Sequence, residues 1–254
     1  MFAEERQQQI LLILAQEKAV KVKQLSKRFL VADETIRRDL EKLEKDNKLK
    51  RTHGGAISIQ DKDDDDIPFQ DRKILMKREK KAMAKEAVKL IKEEETIFID
   101  ASSTGLYLAM AIPNMKLKVM TNSLPVAYEL AKRTSIQLIL TGGNLTPSSM
   151  SLVGSGATRV IQNYNISKLF LSCIGFDNTW GISDSNELQA DVKREAMKMA
   201  AEVILMADYT KIQKKSFVQI ANVAAIDIII TDNKVEKSYF NVKALKNVQV
   251  IFSE

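Results

Sequence analysis

From Thr96 onward the chain carries six nearly continuous apolar runs rich in β-branched residues: TIFID, KVMT, IQLILT, KLFLSCIG, EVILMAD and IDIIITD. A strand with one face in water alternates apolar and polar residues, whereas one covered on both faces does not. The runs therefore predict a mostly parallel sheet sandwiched between the helices that the intervening amphipathic stretches would form. Such a sheet has its polar turns at the carboxyl ends of the strands, where open α/β sheets take their ligands. Here those turns are Asp100-Ala-Ser102-Ser103-Thr104-Gly105, Thr121-Asn122-Ser123, Thr141-Gly142-Gly143-Asn144, Gly175-Phe-Asp177 and Asp208-Tyr-Thr210-Lys211.

The turns share one chemistry. Ser102, Ser103 and Thr104 offer hydroxyls and backbone N–H groups at the start of a helix, an arrangement that binds phosphate. Thr121-Asn122-Ser123 opens a second helix in the same way, and Gly142-Gly143 lets the backbone approach a ligand closely. Lys211 can neutralise phosphate charge, and Asp100 can accept hydroxyls from a polyol. Ser, Thr, Asn and Gly also cap helices with no ligand involved, so each turn alone reads equally as a cap. Five of one kind point to a ligand. There is no Walker A sequence and no GxGxxG after a strand, which argues against nucleotides.

The N-terminal fifth differs. Residues 1–57 hold 13 Lys and Arg against 9 Asp and Glu, and the remaining residues hold 26 against 24, so four of the six net positive charges lie in the head. A basic head on a nearly neutral body suits a polyanion partner; a solvated helical surface is the alternative. Residues 4–17 form a helix burying Ile10, Leu11, Ile13 and Leu14. Val22–Phe29 forms a second, with Val22, Leu25 and Phe29 inward. After Ala32, with Asp33 as the expected cap, a third presents Ile36, Leu40 and Leu43 to the core. Three helices with a tight break before the third make a helix-turn-helix head. The third helix carries Thr35, Arg37 and Arg38 in its first turns, where recognition helices meet base edges. Asp39, nearer the buried side, holds an arginine rather than touching DNA. LKRTHGGAI follows as a two-stranded wing turning at Gly54-Gly55. The full DNA-contacting set is Lys21, Thr35, Arg37, Arg38, Lys42, Lys50, Arg51 and His53.

Composition sets the outer limits. In 254 residues there is one cysteine and one histidine, which excludes a His/Cys metal cluster and an internal disulfide. Cys173 reads as a small core residue. The charged N-terminus is unlike a secretory signal, and no stretch approaches a membrane span, so a cytoplasmic protein with no membrane association is expected. The division is residues 1–57 for the head, 58–72 for an acidic linker closed by Pro68, and 73–254 for the α/β unit. That unit opens with a helix over Lys73–Glu95 whose many lysines form a solvated face.

Arg6, Ile10, Leu14 and then Ala32-x-x-Thr35-Ile36-Arg37-Arg38-Asp39-Leu40, followed by LKRTHGGA, resemble the signature of the DeoR family of bacterial transcriptional regulators. TIFIDASST, VMTNS, LTGG, Gly154-Ser-Gly156, FLSCIGFD, Glu187–Lys193, ADYTK and IIITD resemble that family's effector domain. The resemblance implies a winged helix-turn-helix domain followed by a Rossmann-like sensor domain similar to the sugar-phosphate isomerase and CoA-transferase superfamily. It also implies that a phosphorylated sugar or polyol is held by Asp100, Ser102, Ser103, Thr104, Thr121, Asn122, Ser123, Gly142, Gly143 and Lys211, with no cofactor and no catalytic residue. Double-stranded operator DNA is the expected partner of a homodimer or higher homo-oligomer, because one recognition helix reads few base pairs. The expected function is repression of a sugar uptake or catabolism operon, relieved or strengthened by the phosphosugar. The alternative is an isomerase- or deaminase-like enzyme with an appended head, for which Asp100, Asp177, Glu187 and Lys211 would be the proton-transfer groups.

Overall fold

The computed structural model describes residues 2–17, 19–46, 48–57 and 67–254, and divides into two compact units, Met1–Ile67 and Pro68–Glu254. The acidic run from Gln60 to Asp66 lies outside the described residues. Residues 68–72, expected in the linker, belong instead to the second unit, because Phe69 is buried in its core.

The head contains α1 (Ala3–Glu17), β1 (Ala19–Lys21), α2 (Val22–Phe29), α3 (Asp33–Lys45), β2 (Lys50–Thr52) and β3 (Gly55–Ile57). Ile10, Ile13, Leu14, Val22, Leu25, Ile36, Leu40 and Leu43 converge in one apolar core, as their helical spacing predicts. Three details differ from expectation. Ala32, not Asp33, occupies the N-cap of α3 and makes no side-chain cap bond; Asp33 and Glu34 sit in the first turn, where the helix dipole favours them. The wing turns at His53-Gly54, with Gly55 already in β3. And the wing is three-stranded, in the order β1-β3-β2, because Ala19–Lys21 adds an antiparallel strand too short to show periodicity. That third strand is why position 55 is glycine: a Cβ there would lie 1.7 Å from the Val20 carbonyl oxygen.

The second unit runs α4 (Phe69–Arg72), α5 (Lys77–Val88), β4 (Thr96–Ile99), α6 (Ser103–Ala111), β5 (Leu117–Thr121), α7 (Leu124–Leu130) and β6 (Ile136–Leu140). It continues with β7 (Asn144–Thr146), β8 (Ser151–Val153), α8 (Ser155–Ile161), β9 (Ile166–Leu171), β10 (Gly175–Asp177) and β11 (Gly181–Asp184). It ends with α9 (Glu187–Met199), β12 (Ala200–Met206), β13 (Val218–Ala221), β14 (Ile228–Asp232) and β15 (Gln249–Ser253). Each of the six apolar runs contains a strand. With β15 they form a seven-stranded parallel sheet in the order β15-β14-β12-β9-β4-β5-β6.

Both faces are buried, which is why the runs are continuous. Ile97, Ile99, Phe170, Ile204, Met206, Ile228 and Ile230 pack on the side of α5 and α6. Phe98, Leu169, Leu171, Val203, Leu205 and Ile229 pack on the side of α8 and α9. The helix expected over Lys73–Glu95 is shorter: left-handed Met76 (φ 48°) stands at its N-cap, and it ends at Val88. One of its lysines is not solvated: Lys80 is buried.

The chain builds β4, β5 and β6 outward in one direction, then returns to place β9 on the other side of β4. The order reverses between β4 and β9, and the carboxyl ends of strands at such a reversal are where open α/β sheets take their ligands.

Candidate functional site

Two sets of residues are expected to carry function, one in each unit. In the head, Arg37, Arg38 and Lys42 are exposed on α3, and Lys21, Lys50, Arg51 and His53 are exposed on the wing; Thr35 is half-buried. Arg38 makes only a loose pair with Glu34 at 3.9 Å, so its guanidinium can leave for a base edge. Arg51 is held back towards α3, its backbone N–H donating to Glu44 Oε1 at 2.8 Å and its guanidinium 4.0 Å from Glu44. The arginine that Asp39 holds is Arg6 of α1, with Nε donating to Asp39 Oδ2 at 2.5 Å.

In the α/β unit the switch point between β4 and β9 is bridged by Asp100. Its Oδ1 accepts from Ser102 Oγ at 2.6 Å, and its Oδ2 accepts from the Ser172 backbone N–H at 2.9 Å, tying the end of β4 to the end of β9. Ser102 Oγ in turn caps α6 by accepting from Gly105 N–H at 2.8 Å. Lys193 of α9 completes the cluster. Its Nζ lies 2.6 Å from Asp184 and 3.5 Å from Asp100, and donates to the Ser172 carbonyl at 2.8 Å. Burial alone would depress the Lys193 pKa, but Asp184 and Asp100 hold it above its usual value. Burial raises the Asp100 pKa, against the opposing pull of Lys193. Both oxygens of Asp100 are thus engaged in holding the ends of β4 and β9 together.

Ser103 meets a second buried lysine. Lys80 Nζ donates to Ser103 Oγ at 2.8 Å and to the Arg72 carbonyl at 2.7 Å. Burial pushes its pKa down to about 7; Asp208 opposes that, while Lys211 and Arg72 add to it. Lys211, half-buried in the turn after β12, is therefore close enough to act electrostatically at the start of α6.

The other expected residues are held more internally. Thr121 Oγ1 donates to the Ile99 carbonyl at 2.7 Å and accepts from Ser123 N–H at 3.0 Å; Ser123 Oγ caps α7 by accepting from Val126 N–H. Asn122 Nδ2 donates to the Leu152 carbonyl at 3.1 Å, while its buried Oδ1 has no hydrogen-bond partner among the described residues. Gly143 (φ 106°) is needed by the fold, since a Cβ would sit 2.6 Å from the Val153 carbonyl; Gly142 (φ 68°) faces open space. Cys173 is buried, its thiol pushed up to about 12, as a core residue should be. Reading the sequence did not single out Lys80, Asp184 or Ser172 and did not give Lys193 a role. Their only sequence signal is polarity at positions where the helical or strand pattern turns inward.

The comparisons with known proteins follow the same two-part division. Residues 6–62 match the DeoR-like helix-turn-helix domain, and residues 76–233 match the DeoR C terminal sensor domain. The chain belongs to the DeoR family. It is similar to the HTH-type transcriptional regulator YulB of Bacillus subtilis, at 44% identity covering 98% of this chain and 96% of that one. It is also similar to HTH-type transcriptional regulator GolR of Listeria innocua, at 37% over 94% of both chains. The L-fucose operon activator of Escherichia coli matches at 36% over 90% of this chain and 95% of its own. Among solved structures, ribose 5-phosphate isomerase A from Methanocaldococcus jannaschii aligns over 54% of both chains at TM-score 0.39 and 19% identity, a likeness that says nothing about activity.

As a DeoR-family member the chain is a DNA-binding transcriptional regulator. Its relatives are named as regulators, which sets the isomerase or deaminase alternative aside. Among the described residues no helix is long and apolar enough to cross a membrane.

Proposed function

We propose that this DeoR-family regulator represses a sugar uptake or catabolism operon as a homodimer or larger homo-oligomer, and that a phosphorylated sugar or polyol bound at the switch point sets its affinity for operator DNA. The observation that carries this reading is the Ser102-Ser103-Thr104 turn. It places hydroxyls and the N-terminal N–H groups of α6 beside the switch point between β4 and β9, within electrostatic reach of Lys80 and Lys211. Phosphate dianions are stabilised by that combination of helix N-terminus, hydroxyls and ammonium groups. The names of relatives fit a sugar operon as the target: an L-fucose operon activator at 36% identity, and a putative aga operon transcriptional repressor at 33%.

Two recognition helices at half-site spacing would read a two-fold symmetric operator, and the phosphosugar would favour conformers that do not match it. The test measures fluorescence anisotropy of the protein on its own promoter DNA across a panel of sugar and polyol phosphates, with a transcript assay after gene deletion. At least one phosphate should change the affinity, and deletion should raise transcription. If no phosphate acts, the effector is wrong; if transcription falls, the protein is an activator.

A further inference from the structure

Lys80 is out of keeping with its surroundings. It is a buried cation, and its hydrogen bonds to described residues go to two neutral oxygens, Ser103 Oγ and the Arg72 carbonyl, rather than to a carboxylate. Buried ammonium groups are normally paired with an anion. It also lies at the N-terminus of α6, where the helix dipole disfavours a cation. The charged groups that act on it are Asp208 at the end of β12, Lys211 in the next turn, Arg72 in α4 and Glu79 on its own helix; the largest effect remains burial. Lys211 and the positive end of α6 add to the cost of the Lys80 charge, and Asp208 offsets only part of it, so the burial effect prevails.

We propose that Lys80 is the ammonium that meets the effector's phosphate at the Ser102–Thr104 turn and that, in turning to it, Lys80 releases the Arg72 carbonyl and so alters the segment 69–76 at the entrance to the sensor unit. This rests on the phosphate-bearing effector proposed above. An ammonium has three donors, and two go to Ser103 and Arg72 among the described residues. A phosphate oxygen at the Ser102–Thr104 turn is a stronger acceptor than a peptide carbonyl and lies on the Ser103 side, so turning Nζ towards it keeps the Ser103 bond and draws the ammonium away from the Arg72 carbonyl. With its pKa near 7, part of the Lys80 population is neutral at neutral pH, and a bound dianion restores the proton. Binding is then accompanied by proton uptake, and occupancy is reported along the chain through α4 and the turn to Met76.

Isothermal titration of the full-length protein with inorganic phosphate, glycerol 3-phosphate and ribose 5-phosphate, in two buffers of different ionisation enthalpy at pH 7.5, tests the contact. Hydrogen exchange over residues 69–76, with and without saturating probe, tests the relay. After subtracting the protons each probe itself releases, the wild type should take up about 0.5 to 0.8 proton on binding. Lys80→Met should bind about 10- to 100-fold more weakly, without uptake. Lys80→Arg, which keeps the charge but does not titrate, should bind within a few-fold of wild type, also without uptake. Exchange over 69–76 should quicken on binding in the wild type and stay unchanged in Lys80→Met. Equal affinity and uptake in Lys80→Met, or uptake persisting in Lys80→Arg should the Met variant not fold, overturns the contact while leaving the phosphate effector standing. Unchanged exchange in the wild type overturns the relay. If the wild type binds none of the probes, the effector reading falls and this one with it.

Discussion

Arg6 of α1 and Asp39 of α3 form a buried pair, Nε to Oδ2 at 2.5 Å, and Gln7 donates to the second carboxylate oxygen at 2.9 Å. This fixes α3 against α1, with Arg37 and Arg38 exposed on α3. Asp39→Ala leaves the Arg6 charge buried without its partner, which costs about 3–5 kcal/mol. Urea unfolding of the full chain should then show the head melting early, with the sensor transition unmoved. A single coincident transition at the wild-type midpoint would rule out this role for the pair.

Arg37 and Arg38 are exposed and carry little stability. Replacing both with alanine should leave the unfolding midpoint within about 0.5 kcal/mol of wild type. The loss should appear instead in discrimination, about 1–3 kcal/mol per arginine between operator and random DNA. Anisotropy titrations at fixed salt measure it, and retained preference would remove α3 as the reading element.

Lys193 compensates two buried carboxylates. Lys193→Met should destabilise the sensor unit by about 3–5 kcal/mol at neutral pH. Against the effect of burial, Lys193 holds the Asp184 pKa below its usual value. The Asp184 contribution is therefore present above about pH 4 and is lost as pH falls through the lowered folded value. The gap between wild type and variant, measured by denaturant unfolding at a series of pH values, should narrow below about pH 4.

Lys80 titrates in the opposite sense. Its folded pKa, about 7, lies below the ordinary 10.5, so the unfolded chain binds more protons between those values. Stability from this group therefore rises as pH increases from about 7 towards 10.5, and the full cost of its charge is felt below 7. Lys80→Met should be more stable than wild type at pH 6.5, with the difference shrinking by pH 9. A pH-independent difference would mean that Lys80 is not depressed by burial.

Gly142 and Gly143 are adjacent and both have positive φ, yet they are not equivalent. Gly143→Ala drives a Cβ to 2.6 Å from the Val153 carbonyl and should cost about 2 kcal/mol or more, whereas Gly142→Ala meets open space and should cost about 1 kcal/mol of backbone strain. Thermal unfolding of the two variants separates them; equal losses would contradict the packing at β8 and α8.

Much of the architecture was legible because it depends on local pattern. Strands buried on both faces cannot alternate, so Ile97, Phe98 and Ile99 had to be a continuous run even though they divide between two cores. The same logic located the turn at Ser102–Thr104 and the stripe Ile36, Leu40, Leu43. It failed where the signal is short or non-local. Ala19–Lys21 is too brief to show a period, and the helix expected over Lys73–Glu95 starts only after Met76, a left-handed residue that no helical pattern reveals, and ends at Val88.

The sequence alone determined the order of elements, the family and the polar chemistry at the strand ends, because each is written in residue types at fixed short spacing. Only the tertiary structure decided which charges share a site. Lys80 reaches Ser103 from 23 residues away, and Lys193 reaches Asp100 from α9, because the parallel sheet folds their helices back over one switch point. Burial then changes what those lysines are. In water they would be indistinguishable from the other lysines of the chain, and it is the low-dielectric interior that pulls Lys80 towards neutrality and binds Lys193 to two carboxylates.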